Sequence, residues 1–384
     1  MTNLNSLNFD ENRSFIRDTI REFTEHRIKP HVMEWDEEQT FPLETMHQLG
    51  ELGFLGILVP EKYQGAGLGY VEYSIIVEEV ARIDPSVALS VAAHNGLCTN
   101  HINLFANDAQ KVKYLPDLAT GKKIGAWGLT EPGSGTDSGS MQTTAEKQGD
   151  KYILNGTKNF ITHGASGETA VILAVTDKSK GKKGISAFIL EKGMPGFSVG
   201  KKENKLGMRA SETTQLIFEN CEVPAENLIG NEGEGFIQAM QILEGGRISI
   251  AALSCGLAMG CLENSLAYSQ ERHQFGRPIS GFQAIQFKIS DMATELDAAR
   301  LLTYRAAEMK DKGEPISQSA SMAKLFSSEI ATRASNEAVQ IFGGYGFVKD
   351  YPVEKFYRDV KLLTIGEGTS EVQRLIIARN LLKN

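Results

Sequence analysis

The sequence predicts an α+β protein in three regions: an N-terminal all-α domain over residues 1–122, a middle antiparallel β domain over 123–231, and a C-terminal four-helix bundle over 232–384. Three observations carry this. Apolar residues recur at helical spacing from Asp10 to about Thr120. From there to Asn231 the runs shorten to strand length. From Gly233 onward, long apolar stretches are joined by short Gly/Pro connections. A chain of 384 residues has room for two or three such domains around a large core.

In the first region, Phe15, Ile16, Ile20, Phe23 and Ile28 fall on one helical face, with Asp10 as N-cap and Pro30 as stop. Leu43–Leu52 and Val71–Ile83 repeat the pattern, separated by the turn-rich EKYQGAGLG. In the second, YILNGTKNFIT carries Asn155-Gly156, a dipeptide suited to a type I′ hairpin. AVILAV, ISAFIL and TTQLIF are further strands, and no amphipathic helix separates them. In the third, FIQAMQILEGGRISIAALSCGLAMGCLENSLAYSQERH reads as one long helix. AIQFKISDMATELDAARLLTYRAAEM and SMAKLFSSEIATRASNEAVQIFGG read as two more.

Charge narrows the function. Against 40 basic residues stand 48 acidic ones, a net charge of −8, which disfavours a nucleic-acid binder that must neutralise many phosphates. Cys98, Cys221, Cys255 and Cys261 form no CxxC pair, so buried free thiols are expected rather than a metal site or disulfides. The opening MTNLNSLNFDENR has neither a secretory core nor an Arg-rich transit face, and no apolar run is read as approaching a membrane span. A reducing cytoplasm fits these features.

Gly133, Gly135 and Gly139 in EPGSGTDSGS imitate a dinucleotide fingerprint, but Pro132 precedes them and a polar run follows, where a strand and an amphipathic helix are required. Walker, HExxH and GxSxG patterns are absent from the sequence. A different feature stands out near the C-terminus. In TIGEGTSEVQR, Glu367 lies between Gly366 and Gly368, on backbone that suits neither helix nor strand.

WGLTEPGSGTD, NGTKNFITHG, ILEGGR, ERHQFGRPI, QIFGGYGF, YRD and GEGTSEVQR follow one another across the three regions. In this order and spacing they resemble the acyl-CoA dehydrogenases, most of all the short-chain, butyryl-CoA members, over nearly the whole chain. The resemblance implies the fold of that family. It also implies FAD as cofactor and oxidation of an acyl-CoA to the trans-2-enoyl-CoA. A carboxylate takes the C2 proton as a hydride leaves C3 for flavin N5, and electrons pass on to an electron-transfer flavoprotein. Glu367 matches the base. Burial should raise its pKa, and its own backbone amide, with a flavin ribityl hydroxyl, should receive the charge that builds on the thioester oxygen. Relatives of the isovaleryl type carry their glutamate where this chain has Gly246, so that alternative position is vacant.

The same resemblance assigns the flavin contacts to Trp127, Leu129, Thr130 and Thr136, to Phe160, Ile161 and Thr162, and to Arg272, Phe275 and Gln283. Gln340, Ile341, Phe342, Gly343 and Gly344, and Thr369, Ser370 and Glu371, complete them. Thr136, Glu244, Gly245, Gly246, Arg247 and Gly368 match substrate positions, with Glu244 at the CoA moiety and Arg247 at its adenine end. Because Arg272, Phe275, Gln283 and the Gln340–Gly344 turn serve a neighbouring subunit's FAD in the family, a homotetramer built as a dimer of dimers is implied. Gly366 stands where many relatives have tyrosine, which should widen the pocket beside C2. A branched-chain (isobutyryl or 2-methylbutyryl) dehydrogenase, an oxygen-using relative and a non-catalytic acyl-CoA-binding relative remain as alternatives. The lysines of DKSKGKKG read as a solvated hairpin tip.

Overall fold

The computed structural model describes residues 9–382; residues 1–8, where most of the opening segment lies, are outside it. Seven α-helices come first: α1 (Glu11–Phe23), α2 (Val32–Glu38), α3 (Leu43–Glu51), α4 (Tyr70–Ile83), α5 (Pro85–Ala93), α6 (Asn100–Phe105) and α7 (Asp108–Ala119). Asp10 caps α1 as expected, its Oδ1 accepting from the Arg13 amide at 2.8 Å. Pro30 does not simply stop the chain's helical course. The α1 ladder loosens into a π turn at Thr24–Ile28, and Pro30 sits in a 3₁₀ turn that leads straight into α2.

The middle region holds β1 (Gly125–Gly128), β2 (Thr144–Gln148), β3 (Lys151–Thr162), β4 (Thr169–Val175), β5 (Ile185–Glu191), β6 (Phe197–Lys202), β7 (Thr213–Pro224) and β8 (Leu228–Ile229). They form one sheet in the order β6-β7-β3-β2-β4-β5-β8, with β1 alongside β4. Most pairs are antiparallel, but β1 runs parallel to β4, and β2 meets β4 in parallel at one residue pair. The Asn155-Gly156 hairpin does not exist. Both residues lie inside β3, where a register shift against β7 falls between Leu154 and Gly156. Gly156 takes φ +146°, and an added Cβ there would lie 2.7 Å from the Thr143 Cα, so its glycine serves a bulge. The turn between β2 and β3 is Gly149-Asp150 instead. The lysine-rich segment is the exposed connection between β4 and β5.

The last region contains α8 (Gly235–Glu271), α9 (Gln283–Asp311), α10 (Ser317–Phe342), α11 (Val353–Asp359) and α12 (Ser370–Leu381); α8, α9, α10 and α12 make the bundle. A small hairpin, β9 (His273–Gln274) with β10 (Arg277–Pro278), joins α8 to α9. Contrary to the sequence reading, α8 is long and apolar enough to span a membrane, with mean hydropathy 1.4 over its best window. That window is wholly buried by protein, so α8 is the core helix around which the molecule is built. Gly256 and Gly260 let it close on α4, since a Cβ at either would fall on the carbonyls of Glu78 and Arg82. Across the same junction, Arg300 on α9 pairs with the buried Glu78 at 2.7 Å, and Tyr304 donates to Glu78 at 2.6 Å. Asp311, at the end of α9, caps α4 by accepting from the Tyr70 and Val71 amides. These contacts bring the N-terminal helices, α8 and the Glu367 turn to one place.

Candidate active site

Glu367 occupies the turn between α11 and α12, and its backbone is left-handed at φ +52°, followed by Gly368 at φ +93°. Such a conformation costs a non-glycine residue on the order of 1 kcal/mol or more and persists where surrounding contacts impose it. The need for glycine is therefore sharpest at Gly368. At Gly366 an added Cβ would meet the Leu362 carbonyl at an ordinary 3.5 Å, so this glycine is not demanded by the backbone. The residue is half-buried, yet its Oε2 is fully buried and has no hydrogen-bond partner. Loss of hydration pushes the carboxyl up to about 7, with Lys324 and Arg247 opposing that rise.

The carboxylate lies directly over Gly246 of α8, where any added Cβ would overlap it. Next to it, Gly245 leaves room for the hydroxyl of Tyr70, which accepts from Asn100 Nδ2 at 3.0 Å. Arg247, expected at the adenine end of the ligand, is on α8 next to Gly246. It is buried, its Nε and Nη1 lack partners, and it lies within electrostatic reach of Glu244 and Glu367. Two donors make three hydrogen bonds to the turn's carbonyls: Lys324 Nζ to Gly368 at 2.8 Å, and Gln373 Nε2 to Glu367 at 3.2 Å and to Gly368 at 2.9 Å. Among the described residues the Glu367 amide donates to no backbone carbonyl. The result is an acid with one dry, unpartnered oxygen, whose own N–H is available.

On the middle domain, Trp127 of β1 donates its indole N–H to the buried His101 at 3.0 Å, and His101 in turn meets Gln238 of α8 at 3.1 Å. Leu129 is buried, Thr130 accepts from the Asn159 amide at 2.8 Å, and Thr136 is exposed on the following loop. The Gly133–Gly139 segment is a turn with a short 3₁₀ stretch, not a strand-to-helix crossover. Phe160 sits on a second irregularity of β3, with φ +58° and its ring 62% exposed. Ile161 beside it is buried, so its side chain serves the sheet core, while Thr162 is half-buried. Lys158, wholly buried, ties this strand to the Trp127 loop through Glu131 at 2.7 Å and the Leu129 carbonyl at 3.1 Å.

A third cluster forms a pocket of about 650 Å³ lined by Arg272, Ile341, Phe342, Gly343 and Gly344, among others. Ile341 and Phe342 are 4% exposed, Phe342 stacking on Tyr268 at 4.0 Å, so the open face of the pocket belongs to Arg272 and the glycines. A Cβ at Gly343 or Gly344 would stand in open space. Phe275, in the β9–β10 turn, has φ +51° and 93% exposure; Gln283, Gln340 and Glu371 are also at the surface. Thr369 caps α12 through the Val372 amide, and the buried Ser370 hydroxyl lacks a partner. Among the described residues no cluster of metal-ligating side chains occurs.

The sequence reading named the base, the glycines and the flavin stretches but assigned nothing to Lys324, Gln373, Tyr70, Asn100, His101, Glu131 or Lys158. Of these, Glu131, Lys158 and Gln373 stood inside quoted motifs. Lys324 and Tyr70 had only helical periodicity around them, which reads as core.

A carboxyl with one buried, unpartnered oxygen, an outward aromatic on the β domain, and a pocket lined by glycines, Arg272 and Asp350 suit an enzyme that pairs an acid–base group with a bound cofactor. The comparisons place it further. Residues 10–122, 126–221 and 233–382 match the N-terminal, middle and C-terminal domains of acyl-CoA dehydrogenases. A short-chain specific acyl-CoA dehydrogenase of Clostridium acetobutylicum is 48% identical over 98% of this chain and 99% of its own. The butyryl-CoA dehydrogenase structure from Megasphaera elsdenii superposes with a TM-score of 0.96 at 44% identity, covering 98% of this chain and 100% of that one. A chain solved in work on the electron transferring flavoprotein of Acidaminococcus fermentans superposes at 0.97, with 49% identity and coverage of 99% and 100%. The chain belongs to the acyl-CoA dehydrogenase family and is a flavin-dependent oxidoreductase with FAD as its cofactor. The residues present fit that group: Arg272 offers a cation and Gly343–Gly344 an open cradle for a pyrophosphate, and Phe160 offers a ring face.

Proposed function

We propose that this chain dehydrogenates a short-chain acyl-CoA to the trans-2-enoyl-CoA with Glu367 as the base, and passes the electrons to an electron-transfer flavoprotein. One observation carries the reading: the Glu367 carboxylate is buried, unpaired and raised to about 7, over a glycine that leaves it room. Near neutral pH such an acid is half ionised, so it can take a proton and later release it. Arg247 and Lys324 keep the anion accessible despite burial. The Glu367 amide is free to donate to the thioester oxygen as charge builds there.

Trp127, Leu129, Thr130, Phe160, Ile161 and Thr162 would hold the isoalloxazine side of this chain's FAD, and Arg272 with Gln340–Gly344 the pyrophosphate side of a neighbouring subunit's FAD. The bound flavin supplies the sink for the hydride that leaves C3. Short-chain substrate preference rests on the Clostridium and Megasphaera relatives, and the electron-transfer flavoprotein on the Acidaminococcus match. Thr369, Ser370 and Glu371 sit next to the base, where an α12 N-terminus suits a phosphate. Glu244, Gly245 and Gly368 line the same region as the base and are assigned to the acyl-CoA, with Thr136 at the exposed loop. Four buried free thiols support a reducing, cytoplasmic setting.

The purified holoprotein should be yellow and should bleach without oxygen on adding butyryl-CoA. Bleaching by isobutyryl-CoA alone would move the assignment to a branched substrate, rapid recolouring in air would indicate an oxidase, and no bleaching with any acyl-CoA would refute catalysis.

A further inference from the structure

Lys324 on α10 is wholly buried, and its hydrogen-bond partner is a neutral carbonyl, that of Gly368 at 2.8 Å. A buried ammonium without an ion pair is costly, so its retention calls for a reason. The reason lies one residue away. Gly368 follows the left-handed Glu367, and the same carbonyl also accepts from Gln373, itself wholly buried. Lys324 therefore reaches from one helix, and Gln373 from the next, to the backbone that carries the base.

We propose that Lys324 is a positioning residue for Glu367, holding the left-handed turn by the Gly368 carbonyl and supplying a buried positive charge close to the carboxylate. This rests on the reading of Glu367 as the base. The charged neighbourhood is small. Glu367 faces Lys324 from α10 and Arg247 from α8, with the hydroxyls of Tyr70 and Tyr73 from α4; Lys324 also senses Glu371 and Glu329. Of the two cations Lys324 exerts the larger pull on Glu367, and Glu367 is the strongest charge stabilising Lys324. Burial pulls Lys324 itself down to about 8, so the pair titrates across neighbouring pH ranges. Gln373 shares the mechanical part of this task but carries no charge, which makes the two separable.

The test is kcat/KM for butyryl-CoA against pH in holoenzyme variants, with FAD content measured alongside. Lys324→Met should keep FAD, move the acid limb about one pH unit upward and lower kcat/KM near neutrality roughly tenfold, because the anion has lost the cation that pulls on it more strongly. Lys324→Arg should restore the limb. Gln373→Leu should lower kcat without moving it. An unmoved limb in an FAD-replete Lys324→Met enzyme, or an equal movement in Gln373→Leu, overturns the proposal. If Lys324→Met fails to fold, Lys324→Gln replaces it with the same expected limb and the same refutation. Failure of the base assignment looks different: wild-type turnover then survives Glu367→Gln whatever Lys324 does.

Discussion

Glu367 shows how a single side chain can oppose the stability of its own fold. Its carboxyl is raised from about 4.5 to about 7 by desolvation. The folded state therefore holds a proton that the unfolded chain releases, so this group's contribution is fully present below 4.5 and lost as pH rises through 7. Glu367→Gln should accordingly melt higher than the parent at pH 8, on the order of 1–3 °C for a chain this size, and equally at pH 4. Thermal melts at the two pH values check this; a variant that melts lower at pH 8 would contradict a desolvated anion. Glu367 stood out in the sequence because its motif and its flanking glycines are unusual together. The strain did not. Which of Gly366 and Gly368 answers a backbone demand depends on φ, and the left-handed φ at Glu367 itself has no signature in residue type.

At the level of elements, α8 and the Glu367 turn fit each other through an absence. Gly246 carries no side chain, which leaves room for the Glu367 carboxylate that an added Cβ would overlap. Gly246→Ala should fold and bind FAD, because the obstructed atoms are the far end of a flexible side chain. It should still cut kcat by roughly a hundredfold, since displacing a reacting group by about 1 Å is that costly. Steady-state kinetics with flavin content measured alongside decide it, and unchanged kcat would mean the carboxylate does not work from this position. The helices of the bundle were readable from periodicity, and α8 from its small residues. The sheet was less so. Asn155-Gly156 has the composition of a tight turn, but Gly156 is spent on a bulge against Thr143, and the hairpin falls to Gly149-Asp150. Local preference for a turn loses to pairing of β3 with β7 on both sides of it. The pairing of Lys158 with Glu131 was invisible for a related reason: a buried ion pair between a strand and a loop needs the topology before it can be seen.

For the whole molecule, the surface records what a single chain leaves unfinished. Phe275 and Phe347 are 93% and 88% exposed, and Phe287 is 63% exposed, close in sequence to the Arg272 and Gln283 positions assigned to a neighbour's cofactor. Burying such rings is a large part of what drives association. The homotetramer that the family resemblance implies should elute with a native mass four times the 42.0 kDa of one chain. Phe275→Asp should lower both that mass and the FAD retained, as light scattering and flavin absorbance would show; a monomer with full FAD would contradict sharing of the site. The central claim, that a dry carboxylate in this assembly removes the substrate's C2 proton, is tested most directly by mixing Glu367→Gln holoenzyme with butyryl-CoA in the absence of oxygen. The account predicts that the variant keeps its yellow band and still binds the thioester but does not bleach; bleaching at or near the parent's rate would contradict it.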